Sequence, residues 1–368
     1  MITVLYDGWA LVYRPNSPEA LHLLVLLQQR HPEVQPILAL PGEPPEWLPG
    51  GIDPQVFPEN DNPTARLAWE QRRLPRLLRQ GEADLLHLTS AHPPIFGPSL
   101  TLLSPAEPGV EKRSTPGEPG AGLMDRLRTA ASAGGMSRLR AIFWPRELPA
   151  QVPAGLSAPV HYLAPEPSIA VEPGSVDDLR GYPRLDLPET YILCQAPTGA
   201  GSIRRLLEAW SWAAGAIGEY YPLLLLGLDP ILKPYLDSLL GSDQLANSVR
   251  ALPALSPMLI PTLFQGASAV FHPGLPAPWG GTLRQALRCA RPLVAANSPL
   301  ADALVGPAAY LAPLGDPRAL GAGLITVIVE ESVAERLSET GKERAASWEV
   351  GDFREDLYTA YQAALQAG

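Results

Sequence analysis

The sequence predicts an α/β protein made of two Rossmann-like halves, and three observations carry that prediction. Short, β-rich apolar runs alternate with helical stretches, first from Ile2 to Leu163 and again from Tyr191 onward. A proline-punctuated segment, Ala164 to Pro188, separates the two series. The chain has 368 residues, more than one core usually organises, since single cores stop growing near roughly 250–300 residues. The expected division is a first domain over 1–172, a second over 173–348, and a terminal helix over 349–368.

Ile2 to Tyr6, closed by Asp7-Gly8, reads as a first buried strand of a parallel sheet. Ser17 and Pro18 then supply an N-cap and a first helical position for the apolar stretch that follows. Pro36 to Leu40 reads as a second strand, completing a βαβ unit whose crossover should be right-handed. Ala65 to Gln80 has the pattern of a charged amphipathic helix, and it leads into a strand over Ala83 to Leu88 and another over Leu100 to Leu103. Ser104 to Gly122 loses apolar periodicity and reads as a surface loop. A helix over Leu123 to Ala133 and strands at Ala141 to Trp144 and Val160 to Leu163 complete the first series.

The second series opens on a strand at Tyr191 to Cys194 and a helix over Ser202 to Gly215. It continues with Pro222 to Leu228 (strand), Pro230 to Leu240 (helix), a strand near Val249 to Leu252 and a short helix over Leu259 to Gln265. Ala269 to Phe271 reads as a strand, Thr282 to Cys289 as a helix, and Pro292 to Ala295 and Ala309 to Leu311 as the remaining strands. Helices over Pro317 to Glu330 and Val333 to Ala346 close it.

Composition narrows the partners. With 46% hydrophobic and 18% charged residues and a formal charge of −10, the chain is a folded type that repels polyanions, so a nucleic acid is not an expected partner. Cys194 and Cys289 sit in apolar contexts without metal-ligand or disulfide spacing, so neither a metal nor a disulfide framework is expected. No cleavable leader is evident, and the longest apolar runs, such as Leu23 to Leu27, are too short to span a bilayer. A cytoplasmic location is expected, with peripheral membrane contact left open.

Several segments, in order and across most of the chain, resemble family 4 glycosyltransferases. They are TVLYDGWALVYRPNSPEALHLLVLL near the start, ADLLHLTSAHPP, LPETYILCQAP, VRALPALSPMLIPTLFQGASAVFHPG, VGPAAYLAPLGDPRALGAGL and the tail GKERAASWEVGDFREDLYTAYQAAL. From the strand at Ala269 to Phe271 to the strand at Pro292 to Ala295 runs FHPGLPAPWGGTLRQALRCARPLVAAN, which resembles the family's nucleotide-sugar window. The resemblance implies the GT-B architecture: two Rossmann-like domains facing each other across a cleft, with the C-terminal helix crossing back onto the first domain. It also implies a nucleotide-sugar donor, no resident metal or other cofactor, and a glycan or lipid-linked acceptor.

The residues that should do this chemistry are replaced. A retaining transferase must neutralise a departing diphosphate and stabilise charge developing at the sugar carbon. Aligned on the window, Ala277 and Gln285 occupy the positions of the family's two glutamates, and aligned on RLLEAW, Gly201 stands at its phosphate-clamping lysine. The glycine-rich helix start of the first domain is here Asn16-Ser17-Pro18-Glu19, where Pro18 lacks an amide and Glu19 adds negative charge. Ser104-Pro105 takes the place of a His-Asp pair, and His87 reads as a strand-end residue. Thr282 and Gln285 have capping-box spacing, which favours a structural role for Gln285 over ribose binding.

Some binding capacity is still readable. Gly280, Gly281 and Thr282 stand at a helix N-terminus that either accepts an anion or simply needs positive φ before the cap. Arg204, Arg205 and Arg284 are candidate replacements for the clamp, with a solvated helix face as the plainer reading of the first two, and His272 is a candidate cleft residue. Two functions follow: a weakly active or non-catalytic GT-B protein that binds a glycan or a protein partner such as an active transferase, or a divergent transferase that still uses a nucleotide sugar.

Overall fold

The structure is a computed structural model, and it describes residues 1–106, 123–152, 157–169, 174–182, 185–241, 243–279, 281–349 and 352–366. The loop expected over Ser104 to Gly122 therefore lies largely outside the described residues.

Two parallel sheets organise the chain. The first contains β1 (Ile2–Asp7), β2 (Val34–Leu40), β3 (Asp53–Val56), β4 (Leu85–Leu88), β5 (Thr101–Leu103), β6 (Ala141–Pro145) and β7 (Val160–Leu163). Their order is β3-β2-β1-β4-β5-β6-β7. The second contains β8 (Ile192–Gln195), β9 (Leu223–Leu226), β10 (Val249–Ala251), β11 (Ala269–His272), β12 (Leu293–Asn297) and β13 (Tyr310–Pro313), in the order β10-β9-β8-β11-β12-β13. Both orders reverse direction beside their first strand, β1 against β4 and β8 against β11. In such sheets ligands lie outside the carboxyl ends of the strands at that reversal.

The strands read as unbroken apolar runs because both sheet faces are covered: Leu223 to Leu226 are all fully buried, as are Val4 and Tyr6. The helix Pro18–Gln28 starts where expected, with Ser17 Oγ accepting from the Ala20 amide at 3.2 Å. The amphipathic stretch expected as one helix over Ala65 to Gln80 is instead two α-helical segments, Pro63–Ala68 and Leu74–Arg79, joined by a π turn over Trp69–Arg73. Pro75 explains the wider turn, since it has no amide to return to the carbonyl of Gln71. Asn62 moves the start upstream by capping the Ala65 amide at 2.9 Å.

Strand β3 and the helices Trp9–Tyr13, Asp243–Ser248 and Pro299–Val305 were not expected. Each is short, and β3 is mostly exposed at the sheet edge, so none carries a periodic apolar signal. The segment read as a linker also has structure, a helix over Val176–Arg180 with a Ser175–Asp178 capping box.

The terminal helix Phe353–Gln366 returns to the first domain. Tyr361 is fully buried against β1 and β6 side chains, with its hydroxyl 2.8 Å from that of Tyr6 and 2.7 Å from His87 Nδ1. Arg140 caps the far end by donating to the Ala364 carbonyl at 2.7 Å. Asp356 accepts from both Arg146 and the Ala164 amide at 2.7 Å.

Candidate functional site

The carboxyl ends of β8, β9 and β10 face the first domain, and a first-domain loop is fastened directly onto them. Asn16 Nδ2 donates to the Leu255 carbonyl at 2.7 Å while the Leu255 amide donates back to Asn16 Oδ1 at 2.7 Å. Gln195, at the end of the switch-point strand β8, donates to the Asn16 carbonyl at 2.9 Å and to that of Leu226 at 3.0 Å. Gly227, at φ +70°, lies so close that a Cβ there would sit 2.7 Å from the Asn16 carbonyl oxygen. Arg14 adds an ion pair to Asp229 at 3.0 Å. This clasp occupies the place where the resemblance puts a glycine-rich phosphate loop.

Asn16 is 1% exposed, so its loss strands a buried donor and acceptor at Leu255. Each stranded group costs about 1–3 kcal/mol. Asn16→Ala is expected to destabilise the folded protein by about 2–4 kcal/mol, read as a lower urea midpoint. Glu19, expected to place negative charge in the cleft, is instead buried in the first domain, where its carboxylate lies 3.2 Å from Arg66.

The segment that resembles a nucleotide-sugar window is fastened from the opposite side. Trp279 is fully buried. It stacks on His22 with ring centroids 5.2 Å apart, meets Phe353 edge-on at 5.9 Å, and donates Nε1–H to the Phe143 carbonyl at 3.1 Å. All three partners belong to the first domain or the returning helix, so a second-domain loop is plugged into the first-domain core. Ala277, two residues earlier, is also buried.

The helix that follows spans Gly281–Arg288, not Thr282 to Cys289. Thr282 is consequently inside the first turn and its buried Oγ has no hydrogen-bond partner, so the capping box expected between Thr282 and Gln285 does not form. Gln285 instead donates one turn ahead to Cys289 Sγ at 3.4 Å. Gly281 has φ +76°, a conformation that needs glycine, and Gly280 lies outside the described residues.

Of the candidate clamp arginines, Arg284 is fully buried, hydrogen-bonded to Glu147 and the Pro278 carbonyl, and 4.9 Å over the Trp348 ring. Arg204 and Arg205 are exposed on the helix Ala200–Ile217, donating to Tyr235 Oη at 2.8 Å and Ser202 Oγ at 2.9 Å. Gly201, which the resemblance aligned with a lysine, is inside the first turn of that helix. His272 ends β11, and burial pushes its imidazole down to about 4, a smaller upward pull coming from its hydrogen bond with the Leu275 backbone. It is therefore neutral near pH 7 and offers no charge to a phosphate.

Among the described residues, a void of about 30 Å³ lies between the domains, lined by Glu166, Ile169, Gln195, Phe264, Thr282 and Gln285, among others. That is room for one or two waters, whereas pockets for drug-sized ligands are roughly 300–1,000 Å³.

Sequence reasoning missed the buried polar chain beside this void. Glu166 Oε2 lies 2.5 Å from His22 Nδ1, His22 Nε2 lies 2.9 Å from Ser104 Oγ, and Ser104 Oγ lies 2.7 Å from His87 Nε2. The chain runs on through Tyr361 to Tyr6. Carboxylate, imidazole and hydroxyl are in the order that activates a nucleophile, but Ser104 is 1% exposed and faces protein on all sides. Burial lowers the His87 pKa, with a further push from His22. The neutral ring serves as a link in the core, as its strand-end position suggests. Only an alignment of spatial neighbours distant in sequence could have revealed Glu166, which the sequence places in an apparent linker.

A second buried polar group sits at the end of β1. Arg66 pairs with Asp7 at 3.3 Å, Glu19 at 3.2 Å and Glu70 at 2.7 Å, and Arg128 reaches Glu70 at 2.7 Å. Burial alone would raise the Glu70 pKa, yet Arg66 and Arg128 together hold it below the ordinary carboxylate value. Among the described residues no group of three His, Cys, Asp or Glu side chains could hold a metal ion, and no helix is long and apolar enough to cross a membrane.

No family model matches the sequence, and no curated protein matches it. Solved structures match across the whole chain. Sucrose-phosphate synthase from Thermosynechococcus elongatus aligns with a TM-score of 0.67 at 15% identity, covering 100% of both chains. HepE of Anabaena, solved with UDP and glucose, aligns at 0.66 and 14% identity over 99% of this chain and 100% of its own. WaaG, a glycosyltransferase involved in lipopolysaccharide biosynthesis, aligns at 0.66 and 13% identity over 98% of each. The chain has the GT-B fold: two Rossmann-like domains across a cleft, with the terminal helix on the first.

Proposed function

We propose that this chain is a glycosyltransferase-like protein of the family 4 type that does not transfer sugar by the family mechanism and acts by binding, with a glycan or a protein such as an active transferase as its partner. The observation that carries this reading is the plugged cleft. Trp279 and the Asn16–Leu255 clasp fasten the two domains directly to each other, and the void lined by Gln195, Thr282 and Gln285 between them measures about 30 Å³. The replacements at Ala277, Gln285 and Gly201 then belong with the packing that surrounds them. Ala277 is buried and Gly201 is within a helix turn. A carboxylate at position 277, where Ala277 is 8% exposed, would lose most of its hydration.

Restoration tests this. Ala277→Glu combined with Gln285→Glu is expected to give no sugar transfer and no nucleotide-sugar hydrolysis with UDP-, GDP- or ADP-sugars, because neither change reopens the cleft or supplies the phosphate clamp. Turnover in the double variant would overturn the reading.

A second reading is a divergent but active transferase, using the amides around Gly280 and Gly281 with Arg204, Arg205 or Arg284 and a nucleotide-sugar donor. It draws on the fold neighbours, one of which was solved with UDP and glucose. Against it stand the pairing of Arg284 with Glu147 and the placement of Arg204 and Arg205 on an exposed helix face. A nucleotide would have to displace both the clasp and the plug to enter.

A further inference from the structure

A depression larger than the interdomain void lies outside the cleft. It lies at the outer edge of the first sheet, has a volume of about 580 Å³, and is lined by Gln55, Phe57, Arg73, Arg76, Gln80 and Glu82 among others. Its size is within the range of small-molecule sites. The helical segment from Trp69 to Arg79 has four arginines in a chain of net charge −10, and two of them, Arg73 and Arg76, line the wall. The one acidic residue of that stretch, Glu70, is buried and already bonded to Arg66 and Arg128.

The arginines facing the depression are not consumed by internal pairing. Arg76 is exposed and has no ion-pair partner among the described residues. Arg73 is half-exposed, reaches Glu59 only at 3.7 Å, and is steadied over the Phe57 ring at 5.0 Å. The cation–π contact fixes the guanidinium plane while leaving its edge donors available. Leu77, next to Arg76 on the same wall, is buried, so the segment is anchored to the core. Gln55 and Gln80 add amide groups from opposite walls.

The geometry points to a binding site for a small organic anion, recognised through a phosphate or carboxylate group held between Arg73 and Arg76. Two guanidinium forks give charge-assisted, bidentate contacts to either group. The adjacent edge strand does not favour an added peptide strand. The Phe57 amide bonds inward to Leu40, so by alternation the amides of β3 at positions 54 and 56 face outward, and position 54 is Pro54. Glu82 sets the limit on affinity, because its carboxylate shares the rim with the anion.

Isothermal titration of the full chain with inorganic phosphate, and separately with citrate, at constant ionic strength tests the site. Saturable binding of at least one anion is expected, weakened about tenfold or more by Arg76→Ala or Arg73→Ala and tightened by Glu82→Gln, in keeping with the energy of a charge-assisted bond. The stronger of the two anions identifies the recognised group. All three side chains are at the rim, so unchanged circular dichroism and melting temperature should accompany the changed affinity. Absence of saturable binding by both anions, or binding indifferent to Arg76→Ala and Glu82→Gln, overturns the proposal. Because the depression is away from the cleft, that result leaves the reading of the donor side standing.

Discussion

Trp279→Ala is expected to destabilise the protein by about 3–5 kcal/mol, the range for truncating a buried aromatic side chain. Three interactions are lost together: the stack on His22, the edge contact with Phe353, and the Nε1–H bond to the Phe143 carbonyl. Since the ring comes from the second domain and its neighbours from the first domain and the returning helix, the loss should also loosen the domains. Urea denaturation should show the lower midpoint, and small-angle scattering an increased radius of gyration. Trp279→Phe keeps an aromatic ring in the socket but strands the Phe143 carbonyl, so a smaller loss of about 1–3 kcal/mol is expected. Equal stability of the alanine variant and wild type would mean that the plug contributes no packing.

Arg66→Ala should cost about as much for a different reason. It removes the cation that neutralises Asp7, Glu19 and Glu70, each less than 5% exposed. Breaking a buried ion pair from one side costs about 3–5 kcal/mol because the remaining charge has no compensation. The pH dependence identifies the cause. Glu70 has a folded-state pKa below its unfolded value, since the two arginines outweigh the opposing effect of burial. Its stabilising contribution is therefore present above the unfolded pKa and lost as pH falls through the folded one. In Arg66→Ala the stranded carboxylates gain by protonation, so the stability gap to wild type should narrow on acidification from pH 7 toward pH 4. A gap that stays constant with pH would assign the loss to packing rather than charge.

Much of the fold was legible because parallel strands covered on both faces must be apolar throughout. Leu223 to Leu226 and Ala269 to Phe271 are examples, and the Ser17-Pro18 cap fixes its helix start from local chemistry alone. The exposed strand Asp53–Val56 was not legible, since three of its four residues are exposed and Pro54 argues against a strand. At the site, the resemblance implied replacements at Ala277, Gln285 and Gly201, but local spacing carried no information on how those positions pack. Thr282 and Gln285 have the spacing of a capping box, yet the helix begins one residue earlier at Gly281 and the pair never meets. Glu19 has the position to repel a phosphate, but Arg66, distant in sequence, draws it into the first domain. Trp279 and Asn16 were visible as residues. Their roles depend on contacts between chain segments more than a hundred residues apart, which no local pattern encodes.

The central claim is that the donor side of the cleft is closed by the protein itself. Thermal unfolding of the wild-type chain in the presence of UDP, GDP, ADP and their sugars tests it most directly. A ligand that binds only the folded state at one hundred times its dissociation constant adds about 2.7 kcal/mol, which would raise the melting temperature by several degrees. The expected result is no saturable shift with any of the nucleotides or nucleotide sugars. A saturable rise with any one of them that Asn16→Ala or Trp279→Ala alters would contradict the account and restore a nucleotide site between the domains.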